Sequence, residues 1–212
     1  MPLFDGLTLG ELVLLFGGAA FFIALLVLFV IKATKNQSYK GLLPFFAVPI
    51  VMMGFPTITS IKISQDGVDI ENQVLALQKD PNDEASRKAL ESNVKFLQGR
   101  PFRDPATIAR IAGAQFALGQ ESQAQQNLQK ALQADPKQQV ALQLQQRIEV
   151  ARKLSELTAK AQAQPQSPEV RNQLQQVTTQ AKDLKFANPK ALQSLQTANK
   201  ILQPEQAKAQ PK

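Results

Sequence analysis

Up to about position 60 the chain is apolar almost without a break; beyond it, apolar residues recur every three or four positions among Gln, Ala and Lys. The first pattern contains "LVLLFGGAAFFIALLVLFVI", residues 12–31, an uncharged run between Glu11 and Lys32. At a helical rise of about 1.5 Å per residue it matches the thickness of a bilayer's hydrocarbon core. A second uncharged run, 41–61, lies between Lys40 and Lys62 and contains Pro44, Pro49 and Pro56. Membrane helices tolerate proline where neighbouring groups satisfy the freed carbonyls, so the run predicts a kinked second span packed on the first.

Residues 62–71 change register. Ile61, Ile63, Val68 and Ile70 alternate with polar residues around Asp66-Gly67, which predicts a short β-hairpin linker. From 72 to 203 the spacing is helical, and prolines at 81, 105, 136, 165, 168, 189 and 204 mark boundaries. They predict helices near 83–98, 105–118, 121–134, 137–163, 168–184 and 188–203, with 71–79 as a further short one. The end, 204–212 ("PEQAKAQPK"), has no core-facing stripe and reads as a flexible tail. The expected fold is therefore a membrane-anchored all-α chain: an anchor over 1–61 with two transmembrane helices, a hairpin, and a helical domain over 72–203.

Charge orients the anchor. Before position 60 the charged residues are Asp5, Glu11, Lys32, Lys35 and Lys40, and the three lysines all fall in the loop 32–40. The positive-inside rule puts that loop in the cytoplasm and both termini outside, which in a bacterial inner membrane is the periplasm. A cleaved signal peptide would want a basic N-terminal region and a shorter apolar run, so the first span is expected to be retained. Gly17, Gly18, Ala19 and Ala20 form a collar of small residues where another helix can approach closely, the second span first of all. The spans carry no ionisable group in their middle, which argues against an ion or proton path.

The chain has no Cys and no His, which removes the usual metal ligands and the Cys–His and Ser–His–Asp nucleophile arrangements. Asp80, Asp83 and Glu84 sit at a helix start, where capping and the helix dipole explain acids. No catalytic residue, metal or cofactor is expected, and the chain does not read as an enzyme. The net charge of +7 could suit nucleic acid, but the basic residues are scattered among acids, with one Tyr and no Trp for stacking, so no nucleic-acid partner is expected.

Asp precedes Pro in "KDPND", "RDPAT" and "ADPKQ", and this recurring phrase prompts a search for internal repeats. The clearest unit is 105–136. Along it Ile108 and Ile111 are bulky, Ala112 small, Leu118-Gly119 turn-forming, Ala124 small, Leu128 bulky, Ala131 small, and Pro136 terminates. This order resembles one tetratricopeptide repeat, in which small residues facing bulky ones let two antiparallel helices pack closely. The resemblance implies a TPR-like array that binds a protein segment on a concave face, lined here by Ala109, Gly113 and Phe116. A lysine-, arginine- and asparagine-rich clamp for a partner's terminal carboxylate is not what Ala109 and Gly113 offer; an amphipathic helix or extended apolar peptide suits them better. The function expected is a membrane-anchored scaffold or assembly factor with protein partners. The alternative is an accessory subunit of a larger membrane complex, docked through its transmembrane helices with the helical domain as a strut.

Overall fold

A computed structural model describes residues 5–35, 38 and 40–203; the expected tail at 204–212 and positions 36, 37 and 39 of the basic loop lie outside the described residues. The described chain is all-helical: α1 (Leu9–Thr34), a 3-10 helix (Lys40–Phe46), α2 (Ala47–Lys79), α3 (Glu84–Leu97), α4 (Pro105–Ala117), α5 (Glu121–Ala134), α6 (Gln139–Ala163), α7 (Pro168–Asp183) and α8 (Pro189–Leu202). It divides into two compact units, one of Met1–Asp66 with Leu97–Asp104, the other of Gly67–Phe96 with Pro105–Lys212.

No strand occurs among the described residues, and the hairpin expected over 62–71 lies inside α2. The alternation that suggested it has a second solution. Ile61 and Val68 are 54% and 62% exposed, whereas Ile63 and Ile70 are 5% and 1% exposed. A hairpin would place all four on one face; a helix separates them, and Ile63, Ile70 and Leu77 recur every seven residues as a buried stripe that continues upstream through Pro56 and Pro49. Gly67 sits inside the helix, where it costs about 1 kcal/mol relative to Ala. The seven-residue stripe outweighs that penalty and the local turn preference of Asp-Gly.

Two stretches, α1 in the first unit and the segment 41–79, which begins in the first unit and ends in the second, are long and apolar enough to cross a membrane. Each has only 11% of its most apolar stretch buried, unlike the core helix of a water-soluble domain. Of the large apolar side chains left exposed among the described residues, all but Val68, Leu75 and Leu142 fall between Leu9 and Ile61. An apolar surface that extensive is not sustained in water by itself. Gly18 takes the close approach: a Cβ there would meet Met53 Cγ at 2.9 Å, Met52 Cβ at 3.0 Å and the Pro49 carbonyl oxygen at 3.2 Å. Gly17 only grazes Met52, Ala19 is half-buried and Ala20 is exposed. Phe46, at the end of the 3-10 helix, stacks edge-on against Phe22 and Phe29 of α1. Around Pro56, which interrupts the α2 hydrogen-bond ladder, the Thr57 and Thr59 hydroxyls donate to the Met53 and Phe55 carbonyls. Lys32 occupies the last turn of α1, Lys35 follows as its C-cap, and Lys40 opens the 3-10 helix.

The N-terminal end of α1 is tied down by a segment that follows α3. Thr8 and Glu11 form a capping box: the Glu11 amide donates to Thr8 Oγ1 at 3.3 Å, and the Thr8 amide donates to Glu11 Oε2 at 2.7 Å. Arg100 Nη1 reaches the same carboxylate at 3.3 Å and the Gly6 carbonyl at 3.2 Å. The two charged side chains are only 11% and 14% exposed. Asp5 accepts from the Arg103 amide at 2.7 Å and the Asp104 amide at 3.2 Å. Phe102 packs its ring on Gly6, whose φ of +82° and missing Cβ are both required there.

The second unit gathers the end of α2 and the helices α3 to α8. Helices α3 to α8 begin and end within two residues of the proline-bounded segments. Their caps explain why: Ser167 and Asn188 accept from Val170 and Ala191 amides, each just before a proline in the first helical turn. At Asp80-Pro81 and Asp135-Pro136 the Asp carboxylate accepts from the amide two residues on, at 3.0 and 2.9 Å, so the same phrase makes the same turn. Asp104-Pro105 differs, opening α4 directly.

Helices α4 and α5 pack along their length, and α6 touches α4, α5, α7 and α8. Ala112, Ala124 and Ala131 are fully buried where the helices meet, and Ile111 and Leu128 are buried beside the half-buried Ile108. Gly119, at φ +80°, ends α4: its amide donates to the Phe116 carbonyl and that of Gln120 to the Gln115 carbonyl. Asn188 joins α4 to α8. Buried at 1% exposure, it caps α8 through Oδ1 while Nδ2 donates to the Phe116 carbonyl at 2.7 Å.

The clasp on α1 makes a direct prediction. Asp5→Ala should speed hydrogen exchange at the Arg103 and Asp104 amides by tenfold or more, corresponding to about 1.4 kcal/mol of lost protection. Exchange rates unchanged at both positions would mean that the carboxylate does not hold the segment.

Candidate partner-binding groove

Three helices of the second unit wall a groove. The end of α2 contributes Ile70, Glu71, Val74, Leu75 and Gln78; α4 contributes Ala109, Arg110, Gly113 and Ala114; α6 contributes Val140, Gln143, Leu144 and Arg147. The sequence dictates this lining through helical spacing. Ile70, Val74 and Gln78 lie one turn apart, as do Ala109 and Gly113, and Val140, Leu144 and Arg147 follow the same rhythm. Small residues on α4 create the depression: Ala109 and Ala114 are fully buried as its floor, and a Cβ on Gly113 would meet nothing within 4 Å.

Its volume of about 240 Å³ is below that of pockets built for drug-sized molecules or cofactors, which run from about 300 Å³ upward. It matches a few side chains from a peptide. Leu75, on the α2 wall, is 48% exposed. Arg110 pairs with Glu71 across the groove, Nε to Oε2 at 3.8 Å, with both side chains open to solvent. Arg147 is half-buried and has no ion-pair or hydrogen-bond partner among the described residues.

Of the three residues expected to line a concave face, Ala109 and Gly113 meet in this groove and Phe116 does not. Phe116 is 6% exposed and packs edge-on against Phe186, ring centroids 6.5 Å apart, on the core side of α4. It lines a second cavity, where Lys190 pairs with Glu121 and Arg152 with Glu156. Phe116 stands two helical turns on from Ala109 with about 20° of drift, and its ring packs against Phe186. Sequence reasoning also missed the contribution of α2, because residues assigned to a hairpin could not be counted as a helix wall.

The chemistry available is that of contact. Among the described residues no three Asp or Glu side chains come together as a potential metal site. The Asp83 carboxyl is held below its ordinary range by the Ser86 hydroxyl and the Ser86 amide, which is the geometry of a helix N-cap. No family model, curated protein or solved structure matches the chain.

Gly113 provides the test of the groove's construction. Gly113→Ala has room for its methyl group and removes the helix penalty of glycine, so thermal unfolding of the full chain should show a gain of about 0.5–1 kcal/mol. A loss of stability would mean that the space beside Gly113 is occupied.

Proposed function

We propose that this chain is a membrane-anchored helical-repeat scaffold that holds a segment of a protein partner in the groove between α2, α4 and α6, at the outer face of the membrane. The observation that carries the reading is where apolar surface is left uncovered. Outside 9–61, the large apolar side chains exposed among the described residues are Val68, Leu75 and Leu142, and of these Leu75 lines the groove, beside Ile70, Val74, Val140 and Leu144. Apolar side chains lining an open depression on a water-facing unit support association there.

The anchoring part rests on the two long apolar helices and their exposed faces. The clasp between Asp5–Glu11 and residues 100–104 supports a two-span arrangement in which the start of α1 and the segment after α3 share one side of the bilayer. The lysines at 32, 35 and 40 then favour the cytoplasm for the opposite side, and a periplasmic location follows if the membrane is a bacterial inner one. The alternation of small and bulky residues between α4 and α5 supports a tetratricopeptide-like array.

One observation favours the accessory-subunit reading. Gly10, Gly17 and Ala24 recur every seven residues on an exposed face of α1, and a Cβ at Gly10 would meet nothing within 4 Å. Such a face suits close packing by a helix of another membrane protein.

In-cell crosslinking with mass spectrometry separates the two. The scaffold reading expects a partner that is retained when 1–61 is replaced by an unrelated two-span anchor and lost with Gly113→Leu, which fills the groove. A partner lost on the anchor exchange and indifferent to Gly113→Leu would instead establish docking through the spans.

A further inference from the structure

We infer that the groove selects partner segments in which a carboxylate stands beside an aliphatic side chain, and that Arg147 is the residue that reads the charge. This rests on the groove being the binding site. Three charged residues line it, and two of them answer each other: Arg110 is paired with Glu71 at 3.8 Å. Arg147 is left as the one uncompensated charge of the lining, on the same wall as Leu144 and Val140.

The position of Arg147 matters as much as its sign. A fully exposed guanidinium is hydrated and discriminates little. Arg147 is half-buried beside apolar side chains, where fewer waters screen it and a carboxylate gains more from the contact. Its planar fork of N–H donors can take both oxygens of an Asp or Glu side chain, while the aliphatic neighbour of that residue enters the depression over Ala109 and Gly113. A Lys or Arg on the partner at the same place would be repelled, and a neutral polar residue would gain only one or two ordinary hydrogen bonds. The chain's own C-terminal stretch, "PEQAKAQPK", has one acid against two lysines and no Leu, Ile, Val or Phe, so it lacks both features.

The experiment presents the full chain, in nanodiscs of zwitterionic phosphatidylcholine, to a phage-displayed library of random twelve-residue peptides precleared on empty discs. Selected peptides are then re-measured against Gly113→Leu, Arg147→Glu and Arg147→Met. The expected result is a set of binders lost with Gly113→Leu and enriched in Asp or Glu next to Leu, Ile or Val. Their affinity should fall about tenfold with Arg147→Glu, less with Arg147→Met, and should weaken as salt is raised. Binders that depend on Gly113 but show no acidic enrichment, or that ignore Arg147→Glu, overturn the charge selection and leave the groove reading standing. If no binder responds to Gly113→Leu, the groove reading itself fails and the selection by Arg147 fails with it.

Discussion

The structure depends on an apolar surface that needs an apolar solvent. Between Leu9 and Ile61 large side chains such as Val13, Phe16, Ile23, Val51 and Ile58 stand exposed, and the contact of Gly18 with Met52 and Met53 covers only a strip between the two helices. In hydrocarbon every backbone polar group must be satisfied within the protein, and helices do this without outside help. Next to Pro56, the hydroxyls of Thr57 and Thr59 bond back to the Met53 and Phe55 carbonyls and so keep their own polar groups within the helix. At the N-terminal end of α1, Asp5 and Glu11 are both engaged by residues 100–104, so these two acids hold a later segment of the chain.

A different economy governs the helical unit. Its close approaches use alanine: Ala109, Ala112, Ala124, Ala131, Ala141, Ala161, Ala181 and Ala198 are all buried. Alanine brings helices together with little side-chain entropy to lose, and glutamine on the outward faces keeps helix propensity without adding apolar surface. Such packing leaves shallow depressions wherever a small residue faces no bulky partner, and Gly113 is that place. Asn188 then couples the end of α4 to the start of α8, satisfying two helix termini with one buried side chain.

What could be read from the sequence divides along physical lines. Local signals were legible: prolines and their preceding Asp, Ser or Asn residues bounded α3 to α8, and the apolar runs located both long helices. The Asp66-Gly67 turn signal misled because a ten-residue window gives a two-residue alternation as much weight as a helical one. The seven-residue stripe through Ile63, Ile70 and Leu77 becomes visible only over thirty residues. For the groove, Ala109 and Gly113 were accessible from one repeat-like unit, but Arg147 and the α2 wall come from elsewhere in the chain. Nor does any local pattern join Arg100 to Glu11 across 89 positions. The Thr8-to-Glu11 capping box was the one part of that clasp written in adjacent residues.

The most direct test of the central claim is nitroxide scanning of α1 in phosphatidylcholine bilayers, with collisional accessibility to oxygen and to a water-soluble nickel chelate read at each position. Lipid contact predicts high oxygen and low nickel accessibility at Val13, Phe16, Ile23, Val27 and Val30, and low accessibility to both at Gly18 and Leu25, which the protein itself covers. High nickel accessibility along the exposed face would place the helix in water. Protection from both reagents at every position would bury it inside protein, and either result would contradict an anchor held in lipid.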